Sequence, residues 1–150
     1  MPDFSKLFLL LTLMAPPAVA ADSPIAGTWR GKLHDLPAVV LTVKDEEGKL
    51  SGTVLLYHLH RDTGHNVWQL DMKRAVLLPL LNPKVQPLIH PFYGKVGLFF
   101  QVSRNEAHPP STLDDQPVSF LLIPRAKDQA DLVNISANEG PALKMVRDEK

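Results

Sequence analysis

Hydrophobic and polar residues alternate along most of the chain with the period of a β-strand. In Thr28–Leu33, for example, Trp29, Gly31 and Leu33 fall on one face and three polar residues fall on the other. A period of two is typical of a strand with one buried face, and segments with this pattern recur at intervals of about 8–12 residues. The predicted strands are Thr28–Leu33, Ala38–Lys44, Leu50–His60, Val67–Met72, Val96–Ser103, Val118–Ile123, Asp131–Ser136 and Ala142–Arg147.

Turn residues and prolines separate these strands. Asp45–Gly48 predicts a tight hairpin turn in which Gly48 adopts a positive φ. Ala75–Leu81 is apolar but contains a proline, which indicates an edge strand or a packed loop. Asn82–Pro91 and Asn105–Pro117 are rich in proline and are predicted to be long ordered loops. No amphipathic helix is predicted, so the fold class is all-β: a single small antiparallel up-and-down barrel of about eight strands.

Composition restricts the classes of function. The 150 residues include 45% hydrophobic and 21% charged residues, which is typical of a packed core of one domain. Lys and Arg number 16, as do Asp and Glu, so no basic surface is predicted for nucleic acid or anionic membranes. The chain has no cysteine, which excludes disulfides, thiolate catalysis and cysteine-based metal centres.

The first twenty residues have the pattern of a signal peptide. A short polar start with Lys6 precedes the apolar run Leu7–Met14, and Ala18-Val19-Ala20 then provides the small residues of a cleavage site. We therefore expect cleavage after Ala20, export to a periplasm or medium, and one barrel domain over residues 21–150. No later segment is long and apolar enough to span a membrane, so no stable membrane span is expected after cleavage.

The two ends of the predicted barrel carry a resemblance to a known group of proteins. Gly27-Thr28-Trp29 opens the first strand, and Arg147 follows Leu143–Val146 in the last strand. This layout resembles the calycin barrels, which include the lipocalin, fatty-acid-binding and avidin-type folds, and is similar to small exported bacterial domains of unknown function. The resemblance implies that Gly27, Trp29 and Arg147 form the structural base of a barrel. It also implies that Arg147 crosses the Trp29 ring in a cation–π contact.

Three histidines form the candidate metal site. His58 and His60 are two residues apart on a predicted strand, so their Cα atoms are about 6–7 Å apart on one face. His65 follows across a turn and would complete a zinc site, with Asp62 as a substitute ligand. The alternative is that these are solvated side chains at the barrel rim. His34, His90 and His108 lie beside turns or prolines and are expected to be loop residues or caps rather than ligands.

No catalytic motif is present. The sequence lacks G-x-S-x-G, H-E-x-x-H and S-x-x-K patterns as well as a glycine-rich phosphate loop. The carboxylates of Asp45, Glu46 and Glu47 lie in a predicted solvated turn, which is unsuited to general acid catalysis. The sequence therefore favours a protein that is not an enzyme and predicts no cofactor.

A small apolar ligand is the partner that the sequence favours. A barrel of about eight strands is either filled by side chains or holds one small ligand. The candidate cavity residues are Leu56, Trp68, Leu70, Phe100 and Phe120, with Tyr57 and Tyr93 at the rim. Two alternatives stay open: a filled barrel that binds or inhibits another protein, not identified by the sequence, through its proline-rich loops, and the histidine metal site.

Overall fold

The structure is all-β, as the alternating pattern predicted. A computed structural model describes residues 24–88, 96–103, 117–136 and 142–149. The predicted signal peptide, Tyr93, His90 and His108 lie outside these residues, as does the loop Asn105–Pro117 apart from Pro117. The described residues form nine strands: β1 (Gly27–Leu33), β2 (Leu36–Glu46), β3 (Lys49–Asp62), β4 (Val67–Pro79), β5 (Leu81–Pro87), β6 (Val96–Val102), β7 (Val118–Ala126), β8 (Gln129–Asn134) and β9 (Leu143–Arg147).

The nine strands form one antiparallel up-and-down sheet that curls into a half-barrel. Its strand order is β4-β3-β2-β1-β9-β8-β7-β6-β5, so the first and last strands pair in the middle of the sheet. The two edge strands, β4 and β5, are consecutive in the sequence and are separated only by Leu80. The backbone N–H of Leu80 donates a hydrogen bond to the carbonyl oxygen of Gly52 at 3.0 Å. The sheet edges are therefore joined by a single residue.

The concave face of the sheet forms the hydrophobic core. One row crosses four neighbouring strands through the pairs Trp29↔Leu41, Leu41↔Val54 and Val54↔Leu78. All four side chains of this row are almost fully buried, and Phe100 of β6 belongs to the same core cluster. Burial of each such side chain stabilises the fold by about 1.5–3 kcal/mol, and no polar or charged residue is buried among the described residues.

Two short hairpin turns link the first three strands. Glu47 and Gly48 have φ values of 55° and 85°, which confirms the predicted hairpin turn with Gly48 at a positive φ. His34 and Asp35 form the β1–β2 turn with φ values of 52° and 62°. A two-residue turn with both φ values positive matches the right-handed twist of the flanking strands, so both hairpins are tight.

The prediction of an irregular loop over Asn82–Pro91 is wrong for its first half. β5 covers Leu81–Pro87 and pairs with β6. The pairing is interrupted between Leu81 and Lys84, so Pro83 lies in the irregular part of the strand, and Pro87 is its last residue. Because β5 is an edge strand, proline is tolerated where no ladder hydrogen bond is required.

β4 is one continuous strand with a large bulge. The sequence predicted a strand at Val67–Met72 and a separate edge strand or loop at Ala75–Leu81; the edge position is confirmed, but the separation is wrong. Leu56 pairs with Val76 while His58 pairs with Asp71, so Tyr57 alone faces the four residues 72–75. Such an insertion disrupts the ladder locally and re-aims side chains. We refer to residues 72–75 as the β4 bulge.

Candidate functional site

An apolar pocket of about 490 Å³ lies beside the β4 bulge, and we call it the bulge pocket. Seven of its ten lining residues are aliphatic and three are polar or ionisable. They come from five strands: Leu33 of β1, Ala38 and Val39 of β2, Leu56, Tyr57, His58 and Leu59 of β3, Arg74 and Val76 of β4, and Leu143 of β9. The pocket is therefore assembled by the curl of the whole first half of the sheet together with the last strand.

The floor of the pocket is the row of inward-facing residues next to the core row. Val39 pairs with Leu56, which pairs with Val76, one pleat further along the strands than Leu41, Val54 and Leu78. These floor residues are half-buried, and they pack against the buried core. The floor is thus held in place by the core rather than by a mobile loop, and an apolar surface remains accessible above it.

The polar side of the pocket is provided by Tyr57, His58 and Arg74. Asp71 organises the bulge that carries Arg74: one carboxylate oxygen accepts the backbone N–H of Lys73 at 3.1 Å, and the other lies 3.5 Å from Arg74 Nε. Asp71 also pairs with His58 across the two strands. The bulge therefore places a guanidinium beside an aliphatic floor, which is the arrangement needed to orient an amphipathic molecule.

The predicted cavity residues that the structure describes form three pairs with different surroundings. Leu56 and Tyr57 line the bulge pocket. Phe100 is fully buried and stacks on Phe120 with ring centroids 5.4 Å apart, so both rings fill the core region. Trp68 stacks on His34 of the β1–β2 turn at 4.4 Å, and the half-buried Leu70 also lies outside the lining of this pocket.

The sequence interpretation missed several residues that form the pocket. Val39, Val76 and Leu143 occupy inward positions of their strands, and this alternation was visible in the sequence. The sequence pattern did not indicate Arg74 as a pocket residue, because its position depends on the β4 bulge. A bulge is specified by the pairing of two strands and not by a local pattern.

The three candidate metal ligands do not form a metal site. His58 and His60 are exposed on β3, while His65 lies in the β3–β4 turn with its Nδ1 3.0 Å from Asp62 Oδ2. In the described ranges, no three His, Cys, Asp or Glu side chains come close enough to hold a metal ion. The physical reason is that the turn directs His65 to Asp62, whose other carboxylate oxygen accepts the Gly64 N–H at 2.9 Å.

These hydrogen bonds lower the pKa of Asp62. The hydrogen bond with His65 is the main cause, and the backbone N–H of Gly64 adds to it, because both stabilise the ionised carboxylate. Asp62 thus acts as the organising carboxylate of the β3–β4 turn.

At the base of the half-barrel, the first and last strands meet around Trp29. The Trp29 ring is fully buried and its Nε1–H donates to the carbonyl oxygen of Ile25 at 2.9 Å. The guanidinium carbon of Arg147 lies 4.5 Å from the Trp29 ring centroid. A side chain on Gly27, whose φ is 126°, would lie 3.3 Å from Arg147 Cδ, so glycine leaves room for the arginine stem.

A second, larger cleft of about 760 Å³ lies next to this base. It is lined mainly by the β7–β8 turn and by the end of β9, including Arg125, Lys127, Asp128 and Glu149. Charges of both signs line it, and Asp128 lies 3.9 Å from Arg147 Nε. This cleft lacks an aliphatic floor, so the bulge pocket is the better candidate for an apolar ligand.

Within the described ranges, no helix has the length and apolar character required to cross a membrane. No family model, no curated protein and no solved structure matches this chain.

Proposed function

We propose that this protein is an exported, calycin-like β-barrel protein that binds a small apolar or amphipathic molecule in the bulge pocket and does not act as an enzyme. The observation that carries the proposal is the half-buried aliphatic floor formed by Val39, Leu56 and Val76, with Leu143 also in the pocket lining. Apolar surface on such a floor gains about 25 cal/mol for each Å² that a ligand removes from water.

The dimensions and rigidity of the pocket support binding. A volume of about 490 Å³ falls within the range of about 300–1,000 Å³ that is typical of sites for small molecules. Because the floor packs against the buried core, little conformational entropy is lost when a ligand binds. A preformed apolar surface with a few polar groups at one side is typical of small-molecule sites.

The proposals of export and of calycin-like character have separate support. The apolar run Leu7–Met14 followed by Ala18-Val19-Ala20 supports export. The contact of Arg147 with the Trp29 ring, next to Gly27, is the arrangement that the calycin resemblance implies. Expression of the full chain in a bacterial host, followed by fractionation and N-terminal sequencing, tests export directly. An exported mature protein that begins at Ala21 is expected, and a chain that retains Met1 and stays in the cytoplasm would contradict export.

Binding is tested with N-phenyl-1-naphthylamine, a neutral apolar probe whose fluorescence rises when it leaves water. The protein purified after expression of the full chain is expected to bind the probe. The Ala38→Phe variant places a large side chain in the pocket lining and is expected to weaken binding by about tenfold or more. Ala126→Phe is the matched control, because it adds the same ring to the distant base cleft.

The outcomes separate the hypotheses. Loss of binding in Ala38→Phe alone supports the proposal, and equal binding in both variants would place the ligand elsewhere. No binding by the wild-type protein, together with a native mass spectrum that shows only the bare chain, would contradict a ligand-binding function. That result would favour a filled barrel that acts on another protein through its surface.

A further inference from the structure

The described residues that line the bulge pocket include a positively charged side chain and no negatively charged one. Arg74 carries a full positive charge, and no carboxylate belongs to the described residues that line the pocket. The other two polar lining residues, Tyr57 and His58, both carry hydrogen-bond donors or can do so. An anionic group is therefore the kind of polar group that this lining complements.

The β4 bulge fixes the position of this positive charge. Asp71 accepts the Lys73 N–H at 3.1 Å, which shapes the backbone of the bulge, and its second carboxylate oxygen lies 3.5 Å from Arg74 Nε. The Arg74 side chain is nevertheless largely exposed, and arginine binds planar anions through two nitrogens at once. Asp71 therefore orients Arg74 and also competes with an external anion for it.

The apolar and cationic parts of the pocket lie on neighbouring pleats. Val76 of the floor is two residues from Arg74 on the same strand, and Leu56 of the floor is next to Tyr57, the residue that faces the bulge. A molecule whose apolar body covers the floor thus has its head at the bulge. Two separate neighbouring regions, one aliphatic and one cationic, match the two ends of an amphipathic anion.

We propose that the bulge pocket selects amphipathic molecules with an anionic head, and that Arg74 is the residue that binds the head. This inference rests on the proposed binding function, since it specifies the ligand of the same pocket. Asp71 is a positioning residue in this scheme, because it acts on the ligand only through Arg74. Its negative charge also limits the affinity of the pocket for anions.

The test uses two probes that share one apolar framework. N-phenyl-1-naphthylamine is neutral, whereas 1-anilinonaphthalene-8-sulfonate carries a sulfonate on the same framework. Dissociation constants for both are measured by fluorescence titration at about 0.15 M salt, where distant surface charges are largely screened. The ratio of the two constants isolates the contribution of the head group from that of the apolar body.

Three variants show which side chain provides the contribution of the head group to binding. Arg74→Gln is expected to weaken binding of the sulfonate probe about fivefold more than binding of the neutral probe, because the guanidinium is largely exposed. Asp71→Asn is expected to strengthen binding of the sulfonate probe by about twofold, because it removes the competing charge while retaining an acceptor for the Lys73 N–H. Lys44→Gln on β2 removes the same formal charge outside the pocket and is expected to change neither constant.

Each alternative result has a defined meaning. If both probes bind the wild type and Arg74→Gln changes neither constant, or weakens both equally, the assignment of Arg74 to the head group is overturned while the binding function stands. If Lys44→Gln has the same effect as Arg74→Gln, the selectivity comes from net charge, which also overturns it. If neither probe binds the wild type, the proposed function fails together with this inference.

Discussion

The contact between Trp29 and Arg147 at the base of the half-barrel gives a quantitative prediction of stability. Trp29 is fully buried, and replacement of such an aromatic residue by alanine costs about 3–5 kcal/mol of the free energy of unfolding. Its Nε1–H also bonds to the Ile25 carbonyl, and loss of that bond lies within the same range. Because a domain of this size is stable by about 5–15 kcal/mol, Trp29→Ala is expected to remove a large part of the total.

The cation–π part of this contact is measured with a double-mutant cycle. Arg147→Met removes the charge and retains an apolar stem, and Trp29→Leu removes the ring. The Arg147 side chain is only 12% exposed, so the charge above the ring is largely desolvated. We therefore expect a coupling free energy of about 1–2 kcal/mol between the two substitutions, which is the value for a desolvated cation–π pair.

The assay is urea unfolding at 25 °C followed by far-UV circular dichroism, because the signal must not depend on either of the two tryptophans. Arg30→Met is the matched control for Arg147→Met, since Arg30 forms an exposed ion pair with Asp148 and is expected to cost about 1 kcal/mol or less. An unchanged unfolding midpoint for Trp29→Ala would refute the burial argument. Additivity of Trp29→Leu and Arg147→Met within about 0.3 kcal/mol would refute the cation–π argument.

Three further predictions follow from the hairpins. Gly48→Ala should lower the free energy of unfolding in urea by about 1 kcal/mol, because a φ of 85° is strained for a residue with a side chain. A Cβ there meets no atom within 4 Å, so backbone strain is the whole of this cost, and a neutral result would show that the turn relaxes. Gly52→Ala should cost clearly more in the same assay, because its Cβ would collide with the backbone carbonyl oxygen of Thr42; a smaller loss than for Gly48→Ala would contradict this. The lowered pKa of Asp62 means that its contribution to turn stability is present above the ordinary aspartate pKa of about 4 and is lost as the pH falls through the lowered value. An NMR titration of this carboxyl should give a midpoint below that of a free aspartate, and His65→Ala should raise it.

The strands were predictable because each has one buried face, so that alternation in the sequence reports the local structure directly. The exceptions are informative. β5 was missed because Pro83 and Pro87 exclude a central strand, whereas an edge strand tolerates them at an irregularity and at its end. The bulge in β4 was missed because nothing in residues 72–75 distinguishes an inserted segment from a paired one.

Strand regularity also decides which of the proposed cavity residues line the bulge pocket. Leu56 and Tyr57 line it because β3 is regular up to its pairing with the bulge. Phe100 and Phe120 were proposed for a cavity because they are inward-facing aromatic residues, but the curl of the sheet brings them into a filled core region. Whether an inward side chain lines a pocket depends on how strands distant in sequence pack together, which a single-sequence pattern does not contain.

The pairing of the first strand with the last has a consequence for the folding rate. Arg30 of β1 forms an ion pair with Asp148, which is 118 positions further along the chain, so the pairing of β1 with β9 closes a very long loop. Every other strand pair joins neighbours in the sequence, so each of the two meanders forms largely through local contacts, and their union through β1 and β9 is the non-local step. Folding rates fall as the sequence separation of contacts rises. A circular permutant that joins β9 to β1 and opens between the edge strands β4 and β5 would make every pair of the described strands local. It should therefore fold faster while it retains the bulge pocket.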